Sequence, residues 1–137
     1  MVQEFDHVGI VVKDTNASLD PLGRLFGFEI MEQQEFPDQG FKSTLISKEK
    51  VIIELIEPIG DSGIIHNFIK KKGYGLHHIS LRVPDLPKVL NALSGKKVEL
   101  INEQPQKITD TSQIAFLHPA STAGILIELM QRTEEPS

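Results

Sequence analysis

Hydrophobic and polar residues alternate along two stretches of the chain that match each other. Residues 4–14 (EFDHVGIVVKD) and 75–85 (GLHHISLRVPD) are rich in β-branched residues, and their alternation is typical of half-buried strands. Each stretch ends at an aspartate, Asp14 or Asp85, a residue type that commonly caps the start of a helix. The pattern therefore predicts a strand followed by a helix, and it does so twice.

The two stretches keep one register, because His7 is as far from His78 along the chain as Asp14 is from Asp85. Such a repeat indicates an internal duplication. The predicted helices cover residues 15–25 and 86–93, and they end at Gly27 and Gly95. Three extended segments follow each helix: 29–35, 42–47 and 51–56 in the first half, and 98–103, 113–117 and 124–130 in the second.

Each half is therefore predicted to be a βαβββ module, which places the protein in the α+β class. Module 1 covers about residues 4–57 and module 2 about residues 75–131. An amphipathic linker helix is predicted at about 61–72, with Ile64, Ile65, Phe68 and Ile69 on its apolar side, and the tail 132–137 is predicted to be disordered.

Composition supports a single domain spanning residues 1–137, since 39% of the residues are hydrophobic. The chain lacks a long apolar run and a signal-like start, from which we expect a soluble cytoplasmic protein without a membrane anchor. The net charge of -5 argues against nucleic-acid binding. Because the sequence contains no cysteine, any metal ligands must be nitrogen or oxygen atoms.

The parity of side chains along a strand predicts where the histidines point. Val8 and Ile10 belong to the apolar face that a helix covers, so His7 lies on the opposite face. The register of the duplication selects His78 for the matching position in the second half. His77 then points to the back of the sheet, where a structural role is expected.

Two acids occur inside runs that otherwise fit buried strands: Glu54 in VIIELIEP and Glu128 in ILIELMQ. A buried carboxylate is costly unless a cation offsets its desolvation. The residue two positions after each histidine is small, Gly9 or Ser80, which leaves room for a further ligand. The pattern predicts a metal site made of two histidines and two glutamates: His7, Glu54, His78 and Glu128.

Several segments, in this order and spacing, resemble the vicinal oxygen chelate (glyoxalase/bleomycin resistance/dioxygenase) superfamily, and within it the methylmalonyl-CoA epimerase family. They are FDHVGIVV, FPDQGFK, IELIEP, GYGLHHISLRV, IAFLHPAS and GILIEL, and the resemblance covers about residues 5–131. It implies two tandem modules that form an open, curved mixed sheet around a central metal, in a homodimer. His7, Glu54, His78 and Glu128 match the family's ligand positions, some relatives having glutamine where this chain has Glu54.

The resemblance also implies a reaction, the interconversion of (2R)- and (2S)-methylmalonyl-CoA, an acyl-CoA thioester. The cofactor expected is one divalent ion (cobalt, zinc, nickel or manganese), which stabilises the enolate formed by α-proton abstraction. Glu128 is the first candidate for the base. The second acid or base is either Glu54 or a metal-bound water, because Ser43 stands where some epimerases carry a glutamate.

Other departures concern the contacts to an anionic substrate. Ala120 replaces a lysine common in these epimerases, and Asp110 adds a negative charge nearby. Lys70, Lys71 and Lys72 either meet the CoA phosphates or simply complement the end of the linker helix. The alternatives are a glyoxalase I-like lyase acting on a thiol hemithioacetal and a non-catalytic protein that binds a small drug or toxin. A dioxygenase is disfavoured, since it typically needs only three protein ligands.

Overall fold

The structure, a computed structural model, describes residue 2 and residues 4–133. The chain divides into two compact units. The first unit is the segment from His7 to His77, and the second joins the residues up to Asp6 to the chain from His78 onward. Strands β1 and β5 therefore each contribute residues to both units.

The elements of the first unit follow the predicted βαβββ order. They are β1 (Glu4–Val11), α1 (Thr15–Leu19), a π-helical segment (Asp20–Leu25), β2 (Glu29–Phe36), a 3-10 turn (Pro37–Gln39), β3 (Phe41–Lys48), β4 (Val51–Pro58) and the linker helix α2 (Ile64–Lys72). The strands lie in the order β2-β3-β4-β1. β1 and β4 are parallel, and the other neighbours are antiparallel.

The first helix begins as predicted but is not regular throughout. The Asp14 carboxylate accepts the N–H groups of Asn16 (3.0 Å) and Ala17 (3.4 Å), so the predicted cap is confirmed. The α-helix ends at Leu19 and widens into the π-helical segment. Pro21 explains the change, because proline has no N–H to donate to the preceding turn and its ring crowds that turn.

The core of the first unit lies where α2 meets the strands. Val11, Ile56 and Ile65 are buried together, with Phe68 and Ile69 of α2 packed against them. Ile64 does not join them, because its side chain is exposed, and the prediction that it belongs to the apolar stripe was wrong.

Gly40 and Gly63 of the first unit each lie against the chain segment that contains the other glycine. Gly40 (φ 82°) and Gly63 (φ 140°) both have backbone angles that favour glycine. A Cβ atom on Gly40 would collide with the Ser62 carbonyl, and one on Gly63 would collide with the Gln39 carbonyl. The Gly40 carbonyl also accepts the Ile59 N–H (2.8 Å). The turn before β3 is thereby fastened to the start of α2.

The second unit has the same order of elements. They are β5 (Gly75–Arg82), α3 (Leu86–Gly95), β6 (Gln106–Thr109), β7 (Ser112–Leu117), a 3-10 turn (Pro119–Thr122) and β8 (Ile127–Arg132). The strands lie in the order β5-β8-β7-β6, with β5 and β8 parallel. The α+β class and the two βαβββ modules are confirmed.

One predicted strand was wrong. Within the described residues, the segment 98–103 forms only an isolated bridge from Leu100 to Leu117, and the sixth strand is Gln106–Thr109 instead. The Asn102 side chain accepts the Phe116 N–H (2.8 Å) in place of a backbone carbonyl. A side chain that takes over a ladder bond offers the backbone an alternative to the strand, which explains why the segment leaves the sheet there.

Helix α3 covers the apolar face of its unit. Asp85 caps it by accepting the Lys88 N–H (3.1 Å), and Pro87 lies in the first turn, where it is tolerated. Buried residues of α3 pack against the strands, the cluster comprising Val83, Leu86, Val89, Leu90, Ala115, Leu117 and Leu129. The helix runs to Gly95, and the left-handed residue that follows is Lys97 (φ 63°).

Ion pairs join the N-terminal residues to the rest of the second unit. Arg82 donates to Glu4 (3.0 Å), and Arg132 donates to Asp6 (3.2 Å). Arg132 belongs to β8, so the prediction of a disordered tail was wrong at that residue, and 134–137 lie outside the described residues. None of the described helices is both long and apolar enough to cross a bilayer.

Candidate metal-binding residues

The first unit brings together one histidine and one glutamate. His7 lies on β1 and Glu54 on the parallel neighbour β4, where Gly9 is the residue paired with Glu54. Because alternate residues of a strand share a face, His7 and Glu54 point the same way, and His7 Nε2 lies 3.5 Å from Glu54 Oε1. His7 is buried, whereas the Glu54 side chain keeps 17% of its surface exposed.

The second unit repeats this pair in the same register. Ser80 is the residue paired with Glu128, just as Gly9 is paired with Glu54. His78 Nε2 lies 3.9 Å from Glu128 Oε2, and both side chains are buried. Phe116, which is paired with Glu128 across β7 and β8, packs edge-on against the His78 ring with the centroids 5.8 Å apart.

The spacing within each pair suits metal ligands. Two donor atoms bound to one zinc-sized ion lie roughly 3 to 3.5 Å apart, because each bond is about 2.0–2.2 Å long. The His7–Glu54 and His78–Glu128 separations of 3.5 and 3.9 Å are close to that range. Each unit therefore carries one nitrogen donor and one carboxylate donor at a separation close to that of two ligands of one ion.

The residues paired with the two glutamates are small, and the room for a ligand beside them stays a prediction. Gly9 has no side chain, and Ser80 is fully buried. Among the residues that the structure describes, no partner is found for the Ser80 hydroxyl. A buried hydroxyl of this kind is suited to bind a water molecule or a polar ligand atom.

Ser43 contacts Glu54 directly. Its hydroxyl donates a hydrogen bond of 2.6 Å to Glu54 Oε2. The sequence singled out Ser43 only as a departure from the family, and the contact was missed. The available signal was parity: Leu45 is paired with Glu54, so Ser43 is its diagonal neighbour on the same face.

His77 takes the structural position expected of it. Its ring packs edge-on against Phe68 with the centroids 4.8 Å apart. Burial lowers the pKa of His77, an effect that the negative charge of Glu54 opposes and the positive charge of Lys72 reinforces. The imidazole is therefore biased toward its neutral form.

The two remaining histidines have local roles. His118 Nδ1 accepts the Ala120 N–H (3.0 Å) at the start of a 3-10 turn, which agrees with the HP turn in the sequence. His66 is half-buried, and its Nε2 lies 2.9 Å from the Ile59 carbonyl oxygen.

Comparison with known proteins identifies the family. A model described as the glyoxalase/bleomycin resistance protein/dioxygenase superfamily matches residues 6–116. The chain belongs to this superfamily. The resemblance stated from the sequence is thereby confirmed.

Several relatives share one name. The mitochondrial methylmalonyl-CoA epimerase of Dictyostelium discoideum is 31% identical over 96% of this chain and 80% of its own length. The crystal structure of the methylmalonyl-CoA epimerase from Mycobacterium tuberculosis is 30% identical and has a TM-score of 0.88, covering 97% of this chain and 90% of that one. A variant of the Streptomyces coelicolor epimerase in complex with 2-nitronate-propionyl-CoA is 25% identical, with a TM-score of 0.90 over 100% of this chain and 99% of that one.

Proposed function

We propose that the protein is a metal-dependent isomerase that interconverts (2R)- and (2S)-methylmalonyl-CoA. The observation that carries the proposal is the pair of nearby histidine and glutamate donors that each unit presents in one register, His7 with Glu54 and His78 with Glu128. The substrate class is taken from relatives named methylmalonyl-CoA epimerase, which match nearly the whole chain.

Four side chains are proposed to bind one divalent ion. His7, Glu54 and His78 are a candidate metal-binding group, to which the proposal adds Glu128. A bound ion would act as a Lewis acid toward the carboxylate and thioester oxygens of the substrate. A set of two imidazoles and two carboxylates suits zinc, cobalt, nickel or manganese.

Glu128 is proposed as the base that removes the α proton. A carbon acid next to a thioester is weak, so the base must be held close to the α carbon and away from competing water. Glu128 meets the second condition, because only 7% of its side chain is exposed. Phe116 is paired with Glu128 across the two strands and packs edge-on against His78.

Glu54 is proposed to return the proton on the other face of the enolate. Inversion requires a second acid, and Ser43, at the position where some relatives carry a glutamate, is a poor acid. Glu54 is more exposed than Glu128, so it can exchange its proton with solvent between turnovers. A cytoplasmic location and a homodimer stay predictions.

The test is α-proton exchange of methylmalonyl-CoA in deuterated water, with the metal content of each sample measured. We expect exchange that requires the metal and that Glu128→Gln lowers by at least about a hundredfold. Glu99→Gln is the matched control, because Glu99 belongs to the same unit and is exposed. The proposal fails if metal-loaded wild type leaves the α proton in place. Turnover of a thiol hemithioacetal instead would favour the lyase alternative.

A further inference from the structure

Ser43 lies on β3 within the first unit, and its side chain is buried. Its hydroxyl donates to Glu54 Oε2 at 2.6 Å, a short hydrogen bond of the kind that a charged acceptor forms. The antiparallel register of β3 and β4 holds the two residues on one face. The contact therefore depends on the backbone of two paired strands and not on a mobile loop.

The two oxygen atoms of Glu54 have different surroundings. Oε2 accepts the Ser43 hydroxyl, whereas Oε1 lies 3.5 Å from His7 Nε2. A glutamate side chain has three rotatable bonds, and a contact at each oxygen fixes the plane of the carboxylate. The atom that is turned toward the imidazole of His7 is therefore always Oε1.

The second unit shows that sheet packing does not require a hydroxyl at this place. Ser43 is paired with Ile56, two residues after Glu54, and the corresponding residue of the second unit is Ile114, paired with Met130. Ile114 is buried and apolar. The duplicated strand thus accommodates isoleucine where the first unit has serine, and only the serine can donate to a carboxylate.

We propose that Ser43 is a positioning residue that orients Glu54 as a one-oxygen ligand of a divalent cation. The inference rests on the proposed role of Glu54 in metal binding. In the ionised form of Glu54, Oε1 would be the donor to the ion beside His7, while Oε2 accepts the Ser43 hydroxyl. Loss of the hydroxyl removes one of the contacts that fix the plane of the carboxylate, so we expect the ion to bind more weakly even though every ligand is still present.

The experiment measures cobalt affinity by competition with a chelator, together with the visible absorption spectrum of bound cobalt. We expect Ser43→Ala to weaken cobalt binding about tenfold or more and to alter the spectrum. Ser43→Thr, which keeps a hydroxyl, should restore both. Circular dichroism and thermal melts check that each variant is folded.

Thr44→Val is the matched control. Thr44 is the next residue on β3, is fully buried, and accepts a hydrogen bond from Gln33 Nε2 (3.3 Å). Its side chain points to the other face of the strand, so the variant also loses one hydrogen bond but should leave cobalt affinity within about twofold of wild type. A purely structural role of Ser43 would make the two variants alike.

The outcomes separate this inference from the proposed function. If Ser43→Ala binds cobalt as tightly as wild type, or if wild type binds no divalent ion, the role of Ser43 is overturned. If wild type binds cobalt but does not exchange the α proton of methylmalonyl-CoA, the proposed function fails. The affinity difference between Ser43→Ala and Thr44→Val still decides the role of Ser43 in that case.

Discussion

The two units use one strand register for two pairs that differ in their contact with solvent. In the second unit His78 and Glu128 are both buried beside Phe116. In the first unit His7 is buried, but Glu54 keeps 17% of its side chain exposed and takes a hydrogen bond from Ser43. Duplication thus preserved the positions of the donors while their surroundings diverged, which allows two chemically identical acids to serve different steps.

The helical segments of the two units also differ in burial, and again the second unit has the more buried one. Helix α3 of the second unit buries Leu86, Val89 and Leu90 against the sheet. The corresponding helix of the first unit is interrupted at Pro21, and its end leaves Leu25 exposed. Helix α3 therefore contributes more buried apolar side chains to its unit than α1 and the π-helical segment contribute to theirs.

The largest difference is expected from leucine-to-alanine substitutions in the helical segments of the two units. Leu90→Ala should lower the free energy of unfolding by about 2–5 kcal/mol, because it removes a buried side chain and leaves a cavity. Leu25→Ala should change it by less than about 0.5 kcal/mol, since Leu25 is 59% exposed. Urea unfolding measures both, and equal losses would contradict the contrast between the helices.

The next contrast concerns the two acids. Glu128→Gln should slow α-proton exchange at least about a hundredfold, or about 2.7 kcal/mol, because an amide is not a base. Glu54→Gln should slow exchange only about tenfold, since Glu128 can still remove and return a proton on its own face and the amide oxygen can still bind the ion. Rates in deuterated water at saturating metal test this order. A reversed order would assign the abstraction to Glu54.

The helix caps are the feature that the units share most closely. Asp14→Ala and Asp85→Ala should each lower the free energy of unfolding by about 1 kcal/mol, because each aspartate accepts helix N–H groups. Thermal melts of the two variants make the comparison. A loss confined to Asp85→Ala would mean that α1 contributes little to the stability of its unit.

The smallest effect is expected at an exposed ion pair of the first unit. Arg24 lies 3.3 Å from Asp20, with both side chains in solvent. Arg24→Ala should cost about 0.3–0.5 kcal/mol at low ionic strength and less in high salt. Unfolding at two salt concentrations measures the change, and a loss that does not depend on salt would show that Arg24 acts through packing.

Periodicity and duplication were enough to predict both modules, both caps and the shared face of each histidine and glutamate. Those features depend on parity within a strand, which the sequence contains directly. The prediction of a strand at 98–103 was wrong, because the Asn102 side chain, and not a backbone carbonyl, accepts the Phe116 N–H. The contact from Ser43 to Glu54 depends on the register between β3 and β4, and that register follows from a tight turn in which Glu49 has a positive φ of 55°.

The close approach of Gly40 and Gly63 has a consequence for hydrogen exchange in the first unit. Each glycine lies against the carbonyl of the opposite segment, and the Gly40 carbonyl accepts the Ile59 N–H, so we expect amide hydrogens at this contact to be protected against local opening. We expect the Ile59 amide to exchange with solvent at the rate of global unfolding, whereas amides at the π-helical segment exchange much sooner. Hydrogen exchange would then separate slowly exchanging amides near Gly40 and Gly63 from rapidly exchanging amides of the π-helical segment.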